Sequence, residues 1–207
     1  MTSPAASEDV AESATPDPDP EPDAESDGEL ASDAGPEGHR LAVRVGVSVA
    51  AAIVVLDQIT KELAERALEP GVFVSLLGPH IGWQLVYNPG GAFGLPAPPW
   101  VFLLVAIVVV AVVMRSLPRT PSLWHAVALG LILAGALGNM IDRVVRPGDP
   151  GFLGGWVVDF IAWGFWPRFN VADSAITVGV VLLFVALLRE ELAARRLERA
   201  APDADGP

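Results

Sequence analysis

The segment "FNVADSAITVGVVLLFVALL", residues Phe169–Leu188, decides the fold and raises the functional question. Its last thirteen residues, Ile176–Leu188, are mostly apolar and are typical of a membrane-spanning helix. A carboxylate, Asp173, stands just ahead of them. Three roles are open to such an acid: it can cap the helix, since negative charge is favoured at a helix N-terminus, pair with a buried cation, or form half of a catalytic pair.

Three other apolar segments resemble this one: Leu41–Leu56, Trp100–Met114 and Leu123–Ile141. A bilayer crossing needs about 20 mostly apolar residues, or about 17 at the short end. With their semi-polar flanks, all four segments reach that length. We therefore predict an all-α polytopic membrane protein with four transmembrane helices, at about 43–65, 98–116, 122–142 and 171–190.

The net charge of −12 belongs to one end of the chain. Residues 1–39 hold twelve acids and no Lys or Arg, whereas residues 40–207 balance thirteen acids with thirteen basic residues. Such an acidic, aromatic-poor segment cannot bury enough surface to fold, so we predict a disordered acidic cytoplasmic tail at 1–39. A membrane domain at 40–192 and a cytoplasmic C-terminal tail at 193–207 complete the predicted organisation. No basic patch suggests a nucleic-acid partner.

The distribution of arginine predicts the orientation in the membrane. Eight arginines fall on one side of a four-span topology: Arg40, Arg44, Arg115, Arg119, Arg189, Arg195, Arg196 and Arg199. Basic residues favour the cytoplasmic side, so both termini are expected there, in a multi-pass protein of the cell membrane. The connections at about 66–99 and 143–169 then face outward and carry most of the tryptophans, as in an interfacial aromatic belt.

The two outer connections differ in character. The runs "VFVSLL" (72–77) and "GWQLVYN" (82–88) are β-branched and aromatic, which predicts a small extracytoplasmic β-hairpin or sheet. The second connection is amphipathic and aromatic, and is expected to be an interfacial loop or helix. Within the third span, Gly130, Ala134 and Gly138 recur every four residues and predict close approach of a neighbouring helix.

Polar residues in the predicted topology gather at the outer ends of the spans. They are Asp57 and Lys61, then Asn88, then Asn139, Asp142 and Arg143, then Asp159, and finally Asn170 and Asp173. Polar groups at membrane depth are costly, so this convergence indicates one shared site. Structural roles stay open for most of them: Asp57 and Lys61 have the spacing of an i,i+4 ion pair, and the asparagines can satisfy backbone groups at helix ends.

The surroundings of Asp159 favour a catalytic role for this residue. Its neighbours Val157, Val158, Phe160 and Ile161 are apolar, and a lone carboxylate in that setting would be penalised. Two acids brought together there share a proton, so one can act as general base and the other as general acid. The chain has no Cys, and His39, His80 and His125 lie far apart, so neither a thiol nucleophile nor a metal or other cofactor is expected. A small ion- or proton-coupled transporter that uses Asp57, Asp159 and Asp173 as relay groups is the alternative hypothesis.

Five blocks in order carry a family resemblance: "DQITK" (57–61), "NPGGAFG" (88–94), "GNMIDR" (138–143), "VVDFI" (157–161) and "FNVADSAI" (169–176). With them, the chain resembles the lipoprotein signal peptidases, the signal peptidase II family of bacterial membrane aspartyl proteases. The resemblance implies that Asp159 and Asp173 are catalytic. It also implies that Asn88, Asn139, Arg143 and Asn170 line the site, and that Asp57, Lys61 and Asp142 support it.

The family also implies the substrate: a prolipoprotein with a diacylglyceryl-modified cysteine, cleaved before that cysteine by a monomeric enzyme surrounded by membrane lipid. Two features depart from the family pattern. The acidic tail lies outside the resemblance, and fifteen residues separate Arg143 from Asp159, more than is usual in the family. The prolines and glycines of this stretch suggest that residues 144–158 contain an inserted surface loop.

Overall fold

A computed structural model describes residues 36–92, 95–96, 99–120, 122–151 and 154–200 of the chain. Four helices form the bundle: α1 (Pro36–Ala67), α2 (Pro99–Ser116), α3 (Leu123–Val145) and α4 (Val171–Ala200). A short 3₁₀ turn, Leu117–Arg119, links α2 to α3. The predicted acidic tail at 1–39 lies outside the described residues except for its last four positions, which already belong to α1.

Helices α1 and α4 are longer than the predicted spans. Helix α1 begins at Pro36, a residue suited to a first helical turn because it lacks the N–H that would go unpaired there. Helix α4 continues past the predicted span end near residue 190, as far as Ala200. Its exposed extension contains an i,i+4 ion pair, Arg195 to Glu191, of the kind that supports a solvated helix.

Helix α3 lies at the centre of the bundle and packs against each of the other three helices. The predicted small-residue face contacts α1 closely. A Cβ added to Gly130 would lie 2.5 Å from the carbonyl oxygen of Gly46, and one added to Gly138 would lie 2.6 Å from Oδ2 of Asp57. Larger side chains at these two positions would therefore separate α3 from α1.

The outward surface of the bundle is apolar. Large hydrophobic side chains remain exposed along α1, α2 and α4, among them Val55, Ile107 and Phe184. Within the described part of the chain, three helical segments are long and apolar enough to cross a membrane: Glu37–Ala67, Leu123–Val145 and Val171–Leu197. Helix α2 has 18 residues, which is about 27 Å of helix and just under the thickness of a bilayer core.

The predicted hairpin is present and belongs to a larger sheet. Strands β1 (Val74–Leu77) and β2 (Ile81–Asn88) pair antiparallel, and a third strand pairs antiparallel with the other edge of β2. Two short strands, β3 (Gly91–Ala92) and β4 (Leu95–Pro96), form a separate ribbon before α2. Because α1 and α3 end, and α2 and α4 begin, next to these strands, the sheet lies at one end of the bundle.

The expectation of an interfacial loop or helix in the second connection is wrong for residues 157–163, which form strand β5 (Val157–Trp163). The run "VVDFIAW" is β-branched and aromatic, and β2 presents a free edge that it can pair with. The extra residues ahead of it fold back on the end of α3: Gly148 bridges Gly155, and the Trp156 N–H donates to the Pro147 carbonyl at 3.1 Å.

Candidate active site

Strand alternation directs Asp159 toward the bundle. In β5, Val158 and Phe160 pack with Leu85 and Ala64 on one face of the sheet. The opposite face carries Asp159, which pairs in register with Val86 of β2. Two residues further along β2, on the same face, Asn88 donates from Nδ2 to Oδ2 of Asp159 at 3.1 Å. Asp159 itself is buried.

The start of α4 holds Asp173. Asn170 precedes the helix, and its Oδ1 accepts the backbone N–H of Asp173 at 2.9 Å. In return, Oδ2 of Asp173 accepts the backbone N–H of Asn170 at 3.1 Å. This reciprocal pair is a capping box, so the helix-cap role that the sequence left open for Asp173 is real. Asp173 also lies where the helix dipole favours negative charge.

Asn170 joins the two acids. Its Nδ2 donates to Oδ1 of Asp159 at 2.8 Å, while its backbone N–H binds Asp173. The Asn170 side chain is buried, so desolvation would be costly without these partners. One residue therefore places the carboxylate of strand β5 and the carboxylate of helix α4 in the same polar site.

A buried ion-pair cluster lies beside the two acids. Nζ of Lys61 is 2.8 Å from Oδ2 of Asp57 and 2.8 Å from Oδ2 of Asp142, and all three side chains are fully buried. Asp57 also accepts the backbone N–H of Ala172 at 2.9 Å, and Asp142 accepts that of Val158 at 3.2 Å. These acids therefore fix the start of α4 and strand β5 to helices α1 and α3.

Asn139 connects the cluster to the acid pair. Its Oδ1 accepts hydrogen bonds from Nζ of Lys61 and from Nδ2 of Asn170, both at 3.1 Å. Its Nδ2 donates to Oδ1 of Asp173 at 2.8 Å. The Asn139 amide group therefore links the Lys61 ammonium to the Asp173 carboxylate through two hydrogen bonds.

Arg143 lies on the other side of the site. Its Nη1 donates to the carbonyl oxygens of Pro89 and Gly155, both at 3.4 Å. Gly155 belongs to the segment that the sequence singled out as inserted, so that segment contacts a site residue directly. With Arg143, the structure brings together all nine polar residues that the sequence predicted for one site.

A cavity of about 620 Å³ opens beside the acids. Its polar end carries Asn88, Asn139, Arg143, Asp159 and Asp173. Helices α2, α3 and α4 contribute a largely apolar wall, and strand β2 and the segment between β5 and α4 contribute further residues. The helical wall consists of Val105, Ala106, Val109, Ile132, Gly135, Ala136, Met140, Ile176 and Thr177. The cavity can therefore hold a ligand that has a polar group at one end and hydrocarbon at the other.

The pKa of Asp159 is raised from 3.8 to about 7. Burial is the main cause, because the charged form loses hydration, and the nearby charge of Asp173 adds to it. The hydrogen bonds from Asn88 and Asn170 and the charge of Lys61 oppose the rise. At neutral pH the Asp159 carboxyl can thus hold a proton that an ordinary aspartate would have lost.

The sequence interpretation missed two residues of the cluster. Gln58 donates from Nε2 to Oδ2 of Asp57 and to Oδ1 of Asp142, both at 3.1 Å. Arg146 donates from Nε to Oδ1 of Asp142 at 3.0 Å and also pairs with Glu65. The Asp142–Arg146 spacing of i,i+4 was a usable signal, whereas the inward orientation of Gln58 depends on how α1 and α3 pack.

Across the described ranges, the His, Asp and Glu side chains form no group of three or more suited to a metal ion. What the site offers is a pair of carboxyl groups with different surroundings, joined by amide donors, at the end of an apolar cavity. Such a pair is chemically suited to act as general acid and general base, as in aspartic-type chemistry.

The signal peptidase (SPase) II family model matches residues 49–189. The chain belongs to this family, and so to the aspartic-type peptidases. Family membership favours the peptidase hypothesis over the transporter hypothesis. The lipoprotein signal peptidase of Mycobacterium avium (strain 104) is 45% identical over 144 residues, which is 69% of this chain and 78% of that protein.

A second relative and a solved structure are also similar to this chain. The lipoprotein signal peptidase of Mycobacterium leprae (strain Br4923) is 44% identical, over 69% of this chain and 71% of that protein. A solved bacterial membrane enzyme, determined by the in meso method at 2.3 Å, aligns with a TM-score of 0.63 at 31% identity. The alignment covers 72% of this chain and 90% of that structure.

Proposed function

We propose that the protein is a membrane endopeptidase that removes signal peptides from prolipoproteins, by cleaving before a diacylglyceryl-modified cysteine. The family assignment and the relatives' activity support the reaction. One observation carries the site assignment: Asn170 binds both Asp159 and Asp173, and the two acids stand at the polar end of an apolar cavity. Asp159 and Asp173 are the catalytic residues in this proposal.

The surroundings of the two acids support different roles. Asp173 lies at a helix N-terminus, where the dipole favours negative charge, accepts hydrogen bonds from the Asn139 side chain and the Asn170 backbone, and is only partly buried. It is therefore the ionised member that accepts a proton from water. Asp159 is buried on an apolar strand and has a pKa of about 7, so it is the protonated member that donates to the substrate.

The chemistry follows from these roles. A water molecule gives a proton to Asp173 and its oxygen bonds to the scissile carbonyl carbon, while Asp159 protonates the carbonyl oxygen to yield a gem-diol. Asp173 then protonates the leaving nitrogen, the C–N bond breaks, and one hydroxyl proton returns to Asp159. The products are the signal peptide's carboxyl terminus and the free amine of the cysteine, and both acids regain their starting states.

The remaining polar residues position the pair. Asn88 and Asn170 orient Asp159, and Asn139 orients Asp173. Arg143, at the polar end of the cavity, is proposed to bind a substrate carbonyl oxygen. Asp57, Lys61 and Asp142 hold the helices and β5 in register, so their contribution to catalysis is indirect.

The cavity explains why a membrane enzyme suits this substrate. The substrate's acyl chains must stay in hydrocarbon while its peptide bond meets water.

We propose four spans, with α2 added to the three long apolar helices, both termini cytoplasmic and the sheet at the outer face. The eight cytoplasmic-side arginines support this topology. Membrane lipids surround a monomer. The absence of cysteine from the chain allows single-cysteine labelling from either side of the membrane to test this topology without background.

Purified protein in detergent, incubated with a diacylglyceryl-modified prolipoprotein, tests the function. We expect cleavage before the modified cysteine, and a loss of about 10²–10⁴-fold in kcat for Asp159→Asn and for Asp173→Asn. Thermal scanning must show that both variants remain folded. Near-normal activity in either variant would rule out the proposed pair, and equal rates on unlipidated precursor would rule out the proposed substrate.

A further inference from the structure

Arg168 is a charged residue of the cavity that the mechanism above does not use. It lies in the segment between β5 and α4, two residues before Asn170, and contributes to the same cavity as Asp159 and Asp173. It is not one of the polar positions that the family resemblance picks out. Its place in this cavity therefore needs its own explanation.

The guanidinium of Arg168 is held in place from two sides. Its Nε donates to Oε1 of Gln84 at 2.7 Å, and its Nη1 donates to the Trp166 carbonyl at 3.1 Å. Gln84 is anchored in turn, because its Nε2 donates to the Gly71 carbonyl at 2.7 Å. A guanidinium has five N–H donors and these contacts use two of them, so Arg168 is pre-positioned to bind a further acceptor.

The neighbours of Arg168 indicate its depth in the membrane. Trp163, Phe165 and Trp166 are 63%, 98% and 49% exposed. Exposed aromatic side chains of membrane proteins gather where headgroups meet hydrocarbon. Trp166 contributes to the cavity together with the apolar residues of α2 and α4. Arg168 thus lies at the boundary between polar and apolar surroundings, which is also where the ester groups of a glycerolipid lie.

We propose that Arg168 binds an ester carbonyl of the diacylglyceryl group on the substrate cysteine, and so determines specificity for lipid-modified substrate. This inference rests on the proposed function. The modified cysteine follows the scissile bond directly, so its glyceryl group must lie close to Asp159 and Asp173 while its acyl chains follow the apolar walls. The ester carbonyls come between these two regions. A charged donor next to a carbonyl in such a site gives one of the stronger protein hydrogen bonds.

Two synthetic lipopeptides of one sequence test the proposal. One carries the diacylglyceryl group on cysteine, and the other carries a dialkylglyceryl group, which keeps both chains and the glyceryl unit but has ether links without carbonyls. We expect the wild-type protein to prefer the diester by about 10- to 100-fold in kcat/KM, mainly through KM. Arg168→Gln should remove that preference by raising KM for the diester more than for the diether, and Arg168→Lys should keep part of it.

The matched control is Arg195→Gln. Arg195 is an exposed arginine at the far end of α4, paired with Glu191, and its removal should leave the preference unchanged. The proposal is wrong if Arg168→Gln lowers kcat/KM equally on both substrates, or if a folded Arg168→Gln protein still prefers the diester. Failure of the proposed function gives a different result: the wild-type protein then cleaves neither lipopeptide, or Asp173→Asn still cleaves the diester.

Discussion

The molecule contains two pairs of aspartates side by side, and they are neutralised in different ways. Asp57 and Asp142 share the ammonium of Lys61, and Asp142 also binds Arg146. Asp159 and Asp173, in contrast, are bound directly by amide groups of Asn88, Asn139 and Asn170. The first pair is matched by cations at close range, whereas the second pair accepts hydrogen bonds from neutral amide groups.

This difference indicates which aspartates stabilise the fold and which can take part in proton transfer. Asp57 and Asp142 contact a buried cation and accept backbone N–H groups of α4 and β5, so they fix these elements to α1 and α3. Asp159, in contrast, accepts hydrogen bonds from neutral amides and lies near a second acid, so its protonation state changes near neutral pH. Asn139 links the two groups, because it accepts a hydrogen bond from Lys61 in the first and donates one to Asp173 in the second.

Lys61→Met should give the largest loss of stability. It leaves Asp57 and Asp142 buried without their shared cation, and breaking such a pair costs about 3–5 kcal/mol. Thermal or denaturant unfolding in detergent measures the loss. Arg66→Met is the matched control: Arg66 and Glu62 have the same i,i+4 spacing but are 74% and 51% exposed, so its cost should stay within about 1 kcal/mol. Equal losses in the two variants would contradict the structural role given to the buried cluster.

Asn139→Leu should lower activity more than stability. The change keeps the branched shape of the side chain and removes the hydrogen-bond donor to Asp173, while Lys61 retains both of its carboxylates. A hydrogen bond to a charged group is worth about 1.5–3 kcal/mol, so kcat/KM should fall by about 10- to 100-fold. Leu137→Met, a nearby substitution of similar volume on α3, should change little. A stability loss as large as that of Lys61→Met would place Asn139 with the structural cluster instead.

The pH dependence should be the mildest effect. Asp159 must be protonated to donate, so kcat/KM should fall about tenfold for each pH unit above its pKa of about 7.

Folding also raises this pKa from 3.8, so the folded protein binds more protons than the unfolded chain, and stability should decrease as the pH rises from about 4 to about 7. Asp159→Asn should remove that contribution to the stability slope; an unchanged slope would show that other groups cause it.

Much of this arrangement could be predicted from residue order. The β-branched run before Asn88 predicted strand pairing, and the small residues of α3 predicted close contact with a neighbouring helix, because both are local patterns. Strand β5 was not predicted as a strand. Its run around Asp159 is buried on both faces, so it lacks the alternation that marks a half-buried strand, and its pairing edge is provided by residues about 75 positions earlier in the chain.

The sequence by itself determined the apolar helices, the polar residues at their ends and the family, since these depend on composition and on motifs read along the chain. Only the tertiary structure decided which acid contacts which partner. Packing of α1 against α3 directs Lys61 to Asp57 and Asp142, and pairing of β5 with β2 places Asp159 beside Asn170 at the start of α4. The physical reason is that a carboxylate's charge state depends on burial and on neighbours that are distant in sequence. Asp57 and Asp173 begin as similar acids near helix ends, and their surroundings give them different roles.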